Sequence, residues 1–173
     1  NRFSIFTLVS LGAALFLPAA NPVPVPKLDN VPPVPRANLE ESIERGVYFL
    51  LEKQNKDGSW GSPRNTKGLN IYAPGFQSHY AFRLAVTALC TSALIETGGD
   101  TLQTRSALKD SEAYLLEHLP KLRRANATAM YNVWAHGYGL QALVRLRARA
   151  NDDLLKTKKI DALITQQFGR LDA

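Results

Sequence analysis

Two adjacent carboxylates can supply an acid, and Asp152-Asp153 is such a pair. It follows a stretch rich in arginine, in the turn "NDD" at 151–153, and reads as a solvated turn or helix cap. Cys90 is the one cysteine, so no internal disulfide forms. Its surroundings, "AVTALCTSAL", are apolar, whereas a reactive thiol needs positive charge and exposure. His79, His118 and His136 lack ligand spacing with one another or with Cys90, so no metal and no cofactor are expected. No Ser-His-Asp arrangement and no phosphate-cradling glycine loop is visible. The sequence therefore nominates no catalytic residue.

An apolar surface is better supported. In "MYNVWAHGYGLQAL", Tyr131, Trp134, Tyr138 and Gln141 stand three, four and three residues apart, on one face of a helix. Two uses fit: a cavity wall for an apolar ligand, or an aromatic seam between packed helices. His136 points elsewhere and reads as a polar core or surface residue. The connection from Gly61 to Ser78 is long for two helices. Its Ile71, Tyr72 and Phe76 suit a lid or partner contact, and equally a coil packed over a hairpin end.

The elements that must hold these residues are helical. The chain has 173 residues, 45% of them hydrophobic, enough for one domain with a core. Its formal charge of +6 includes Arg2, Lys27 and Arg36 against Asp29, so the part beyond residue 36 carries 6 − 3 + 1 = +4. The basic clusters Lys121/Arg123/Arg124 and Arg145/Arg147/Arg149 lack interleaved aromatics, so no nucleic-acid partner is expected. Asn38 with Glu41 forms a candidate N-cap pair, and Leu39, Ile43, Val47, Leu50, Leu51 and Gln54 follow as one stripe. A second helix is expected from after Ser78 to about Glu96, ending at Gly98-Gly99. It is apolar or small all round and so buried on several sides. "AYLLEHL" at 113–119 echoes "YFLLEKQ" at 48–54, and "GLQALVRL" at 139–146 echoes "CTSALIET" at 90–97. A further amphipathic segment starts near Ile160. Such self-similarity predicts stacked helical hairpins.

The N-terminus has a different character. Residues 1–20 read as a signal peptide or an uncleaved N-terminal anchor, with Arg2 ahead of an apolar run from Ile5 to Leu17. Residues 21–37 are proline-rich and predict an extended linker, at about 3.1 Å per residue a spacer of roughly 50 Å. Residues 38–173 form the repeat domain. The location expected is extracytoplasmic, periplasmic or secreted, with membrane anchoring if the signal stays attached. Asn126-Ala127-Thr128 is a glycosylation sequon whose use depends on the host.

One stretch carries a family resemblance. In "RGVYFLLEKQNKDGSW", Arg45, Gly46, Phe49, Leu50, Gln54, Gly58 and Trp60 fit the QW motif. The chain from about residue 38 resembles the prenyltransferase/squalene oxidase repeat proteins, a group including the squalene–hopene cyclases. The second repeat is degenerate, with Leu119 where glutamine is expected and no Gly-x-Trp after it. Physically, Gly46 would permit close packing of the helix and Gln54 would serve the orphan carbonyls near the helix end. Gly58 would permit a positive φ, and Trp60 would cover the hairpin end with its N–H needing a partner. The motif is thus a brace.

The resemblance implies an all-α fold, an α/α toroid of outer and inner helices. This chain would supply an incomplete ring of about two and a half hairpins, the N-terminal part of a longer protein. It also implies an apolar or isoprenoid ligand. Two functional classes remain open: a binding or scaffold module with an apolar cavity, whose partner is an apolar ligand or another protein, and a terpenoid cyclase. Family cyclases use a DxDD-type acid and family prenyltransferases a zinc site, and neither set occurs here. A cyclase would need its acid beyond Ala173. Export favours the binding module.

Overall fold

In the computed structural model, residues 33–62, 76–123, 132–150 and 153–171 are described. The sorting segment, most of the linker, most of the long connection, the sequon and Tyr131 lie outside them. The described residues hold five α-helices and no strand, an all-α fold. They are α1 (Arg36–Lys53), α2 (Phe76–Thr97), α3 (Leu102–His118), α4 (Asn132–Arg149) and α5 (Leu154–Leu171), with a 3₁₀ turn at Leu119–Lys121.

Helix α1 begins two residues before Asn38, directly after Pro35, whose ψ of 137° is extended. Proline fixes φ and lacks the N–H that a first turn leaves unpaired, so it opens the helix without a side-chain cap. Asn38 therefore lies inside the helix rather than capping it, and its carbonyl accepts from Ser42 Oγ at 2.7 Å. The expected stripe on α1 is only half covered. Val47, Leu50 and Leu51 pack against the core, while Leu39 remains 53% exposed and Ile43 is exposed beside it.

The other helices form two layers. Helix α2 lies beside α4, α3 packs on α2, and α5 packs on α4. Helices α2 and α3 run antiparallel, because Gly98 meets Thr104 at one end and Tyr80 meets His118 at the other. Helices α4 and α5 do likewise, joined by Arg147–Asp161 and His136–Gln167. Phe82 touches Trp134 and Glu96 pairs with Arg145, so α2 and α4 are parallel neighbours.

One core cluster runs through this arrangement. It includes Ala81, Leu84, Ala85 and Ala88 of α2 and Ala135, Ala142, Leu143 and Leu146 of α4. Alanines shorten the reach of each side chain and bring the two backbones together. Gly139 extends this principle to the 3₁₀ turn. A Cβ there would stand 2.8 Å from a methyl of Leu119, so only glycine fits without displacement.

Several polar groups in the core are paired. His136 and Gln167 are both buried, and His136 Nδ1 meets Gln167 Oε1 at 2.6 Å. Arg170 donates to the carbonyls of Leu122 at 2.9 Å and Pro120 at 3.2 Å, satisfying groups left over where α3 ends. Asp153 Oδ1 accepts from the Lys156 N–H at 3.0 Å, so the second of the paired carboxylates caps α5.

Burial lowers the pKa of His136 from its ordinary 6.5, Gln167 opposes this, and the nearby Arg170 and Arg123 charges reinforce it. The unfolded chain therefore binds the proton more readily than the folded one. Stability is full above pH 6.5 and is lost as pH falls from there through the lower folded value. Burial lowers His118 in the same direction. We expect Tm to fall as pH is taken from about 7.5 to about 5.5, and His136→Asn to flatten that decline while lowering Tm at the upper pH. Equal slopes for the two proteins would remove His136 as the cause.

Candidate functional site

The stretch from Gln54 to Trp60 folds as a turn pinned to three helices. Gln54 Nε2 donates to the Gly58 carbonyl at 3.0 Å and to the Ala107 carbonyl of α3 at 2.9 Å. Trp60 is 3% exposed, and its Nε1–H donates to the Leu50 carbonyl of α1 at 2.8 Å. The Trp60 backbone N–H donates to Thr87 Oγ1 of α2 at 3.0 Å. The side chain of Asp57 accepts from the Ser59 N–H and hydroxyl and pairs with Arg83 at 2.7 Å. Burial opposes ionisation of Asp57, but the Ser59 hydrogen bonds and the Arg83 charge outweigh it and hold the carboxyl below its ordinary value. Gly58 has φ of 84°, and a Cβ there would run into the Asp110 backbone carbonyl.

The other motif positions are less engaged. Arg45 pairs with Glu41 on the surface, Phe49 is exposed, and Leu50 is half-buried. Gly46 corrects the expectation of close packing: a Cβ there would meet nothing within 4 Å. Helix α1 presents that position to open space. The turn also recruits Asn55, Asp57 and Thr87, which the motif does not specify.

A second arrangement is the shared face of α2 and α4. Trp134, Tyr138 and Gln141 are all exposed on one side of α4, with Trp134 at 56%. Tyr131, the fourth residue of that series, lies outside the described residues. Phe82, Val86 and Leu89 continue the surface onto α2, where Val86 and Leu89 are exposed. The Phe82 and Trp134 rings meet edge to face at 5.5 Å between centroids, at one end of this wall. The Glu96–Arg145 ion pair stands at the other. Phe82 and Trp134 form a seam, yet the outer surface of the pair stays open. The α2 half was missed because that helix is apolar on all sides and offers no contrast. Only the spacing 82, 86, 89 marks it.

A third cluster is polar and lies between α2 and α3. Tyr80 OH and His118 Nδ1 are 2.8 Å apart, and the Tyr114 ring lies 4.2 Å from that of His118. The Arg83 guanidinium sits 5.5 Å from the Tyr114 centroid. Burial, with Tyr114 and Glu117 nearby, pushes the Tyr80 hydroxyl up to about 12, so it remains a neutral phenol. Burial also pushes the Cys90 thiol up to about 11, which leaves it protonated and unreactive at neutral pH. Among the described residues, no three His, Cys, Asp or Glu side chains gather to hold a metal.

No protein-family profile, no curated protein and no solved structure matches this chain. The residues themselves carry the functional reading.

The two glycines of the motif should respond oppositely to alanine. Gly58→Ala combines left-handed strain of about 1–2 kcal/mol with a backbone clash and should destabilise by at least that amount. Gly46→Ala should stabilise by about 0.5–1 kcal/mol through helix propensity. Urea denaturation of both variants checks this, and destabilisation by Gly46→Ala would show a hidden close contact.

Proposed function

We propose that the protein is an exported member of the prenyltransferase/squalene oxidase repeat group whose helices form part of an α/α toroid. In this reading α2 and α4 are inner helices and α1, α3 and α5 outer ones. Its function is to bind an apolar, isoprenoid-like ligand as a binding or scaffold module. The observation that carries the reading is the open wall of Phe82, Val86 and Leu89 beside Trp134, Tyr138 and Gln141. Exposed aromatic faces next to branched aliphatics suit polyunsaturated chains, which gain both burial and ring contact. The parallel pairing of α2 with α4, and the QW turn that joins α1, α2 and α3, support the toroidal arrangement. The sorting-signal pattern of residues 1–20 supports export, and no described helix is long and apolar enough to cross a membrane.

The second reading is a terpenoid cyclase, an isomerase that takes its acid from chain beyond Ala173. The aromatic wall favours it, because cation–π contacts worth about 0.5–2 kcal/mol each would steady a carbocation.

Trp134 reports on the wall directly, since the other tryptophan, Trp60, is buried. Titration with farnesol should give a saturable blue shift of fluorescence that is absent in Trp134→Phe. Val86→Asp should weaken binding by about tenfold or more, because the ligand would then have to desolvate a carboxylate. An unsaturable response in the wild type would reject the apolar-ligand reading. Conversion of squalene to an isomer of equal mass would favour the cyclase over the module.

A further inference from the structure

The outer layer carries a groove that the α2/α4 wall does not involve. A cavity of about 750 Å³ lies where α3, the end of α4 and the start of α5 meet. Its floor includes Leu108 and Leu146, and its rim carries Arg105, Lys109, Arg149, Lys156 and Lys159 against Glu112 and Glu117. The two carboxylates are already engaged: Glu112 pairs with Lys156 at 2.7 Å and Glu117 with Lys121 at 2.8 Å. Arg105 pairs with Asp100. Lys109, Arg149 and Lys159 have no carboxylate partner among the described residues. Three helices thus each deliver one uncompensated cation to a single groove.

The groove is asymmetric along its length. It runs into a second hollow of about 220 Å³ that shares Leu116 and Lys159 and continues over Pro120, Ala162 and Leu163. No further cation is added there. Glu112 faces Lys156, and Pro120 and Leu163 line the far hollow together, so the trough follows α3 and α5 in parallel. Lys109 and Pro120 are 11 residues apart, about 16 Å at the helical rise. Lys109, Arg149 and Lys156 line only the first hollow and Lys159 stands where the two join, while the far hollow is otherwise apolar apart from Gln166.

We propose that this groove binds a single-chain amphiphile with an anionic phosphate or carboxylate head. The head would sit among Lys109, Arg149 and Lys159, and a chain of about a dozen carbons would lie toward Pro120 and Leu163, a length that matches about 16 Å. Charge-assisted hydrogen bonds hold the head, and burial of the chain against Leu116 and Leu163 supplies the rest. A lone anion would gain the first contribution and forgo the second.

Calorimetric titration of the full chain with monomeric dodecyl phosphate tests this. We expect one binding event per chain, at least about tenfold weaker in Lys109→Glu/Lys159→Glu. Both residues are exposed, so the double variant should keep its fold, which circular dichroism checks. Butyl phosphate and inorganic phosphate should each bind at least about tenfold more weakly than dodecyl phosphate. Trp134→Ala, which alters the α2/α4 wall and not the groove, distinguishes the two surfaces. Equal affinity for inorganic phosphate would reduce the groove to an anion site and overturn the proposal, as would indifference to charge reversal. Loss of binding in Trp134→Ala alone would move the ligand to the α2/α4 wall. Concentration-dependent association of the free protein, abolished by the double variant, would assign the groove to an acidic helix of a second copy instead.

Discussion

Ala81, Ala85 and Ala88 let the backbone of α2 approach α4, where Ala135 and Ala142 belong to the same buried cluster. Close approach of two helices through small side chains leaves little room for water and fixes their register. Helices α3 and α5 are placed by what remains of the surfaces of α2 and α4. Helix α3 covers the side of α2 that carries Tyr80, and α5 covers the side of α4 that carries His136. The faces left over, Val86 and Leu89 on one helix and Trp134 and Tyr138 on the other, necessarily point the same way. The candidate ligand wall is thus a by-product of how the core is built.

The turn at residues 54–60 solves a different problem, that of tying the end of α1 to both α2 and α3. A helix end leaves carbonyls without partners, and a buried tryptophan has an N–H to place. Leu50, Gly58 and Ala107 supply carbonyls, while Trp60 and Gln54 supply the donors. Every bond either closes the turn or crosses to another helix. Thr87 adds a hydroxyl from α2 that both accepts from Trp60 and donates to the Arg83 carbonyl.

Much of this was legible in the residue pattern, and the exceptions have physical causes. Periodicity located α2 and α4, because long stretches of spaced apolar residues leave few alternatives to helix. It located the start of α1 less well, because Asn38 and Glu41 form a reasonable cap while Pro35 opens the helix earlier by conformation alone. It placed the last helix near Ile160, whereas Asp153 caps it from Leu154. Gly46 misled, since a glycine within a helix signals close approach only when a neighbour is present, and sequence does not reveal neighbours. Thr87 was invisible for the same reason, being 27 residues from the tryptophan it serves. The open face of α2 was hidden by the apolar character of the whole helix. Four aromatic and amide positions drew attention to the α4 half because they broke an otherwise aliphatic pattern.

The parallel alignment of α2 and α4 has an electrostatic consequence. Each helix carries the equivalent of about half a positive charge at its start and half a negative charge at its end. Two such dipoles side by side add, so the Phe82–Trp134 end of the wall is electropositive and the opposite end electronegative. Arg145 stands at the negative end, where its charge is balanced by Glu96. A guest with any charge separation along its length would meet this axial field before meeting a charged side chain. The wall would therefore distinguish the two ends of its guest, even though the residues that line it are almost all uncharged.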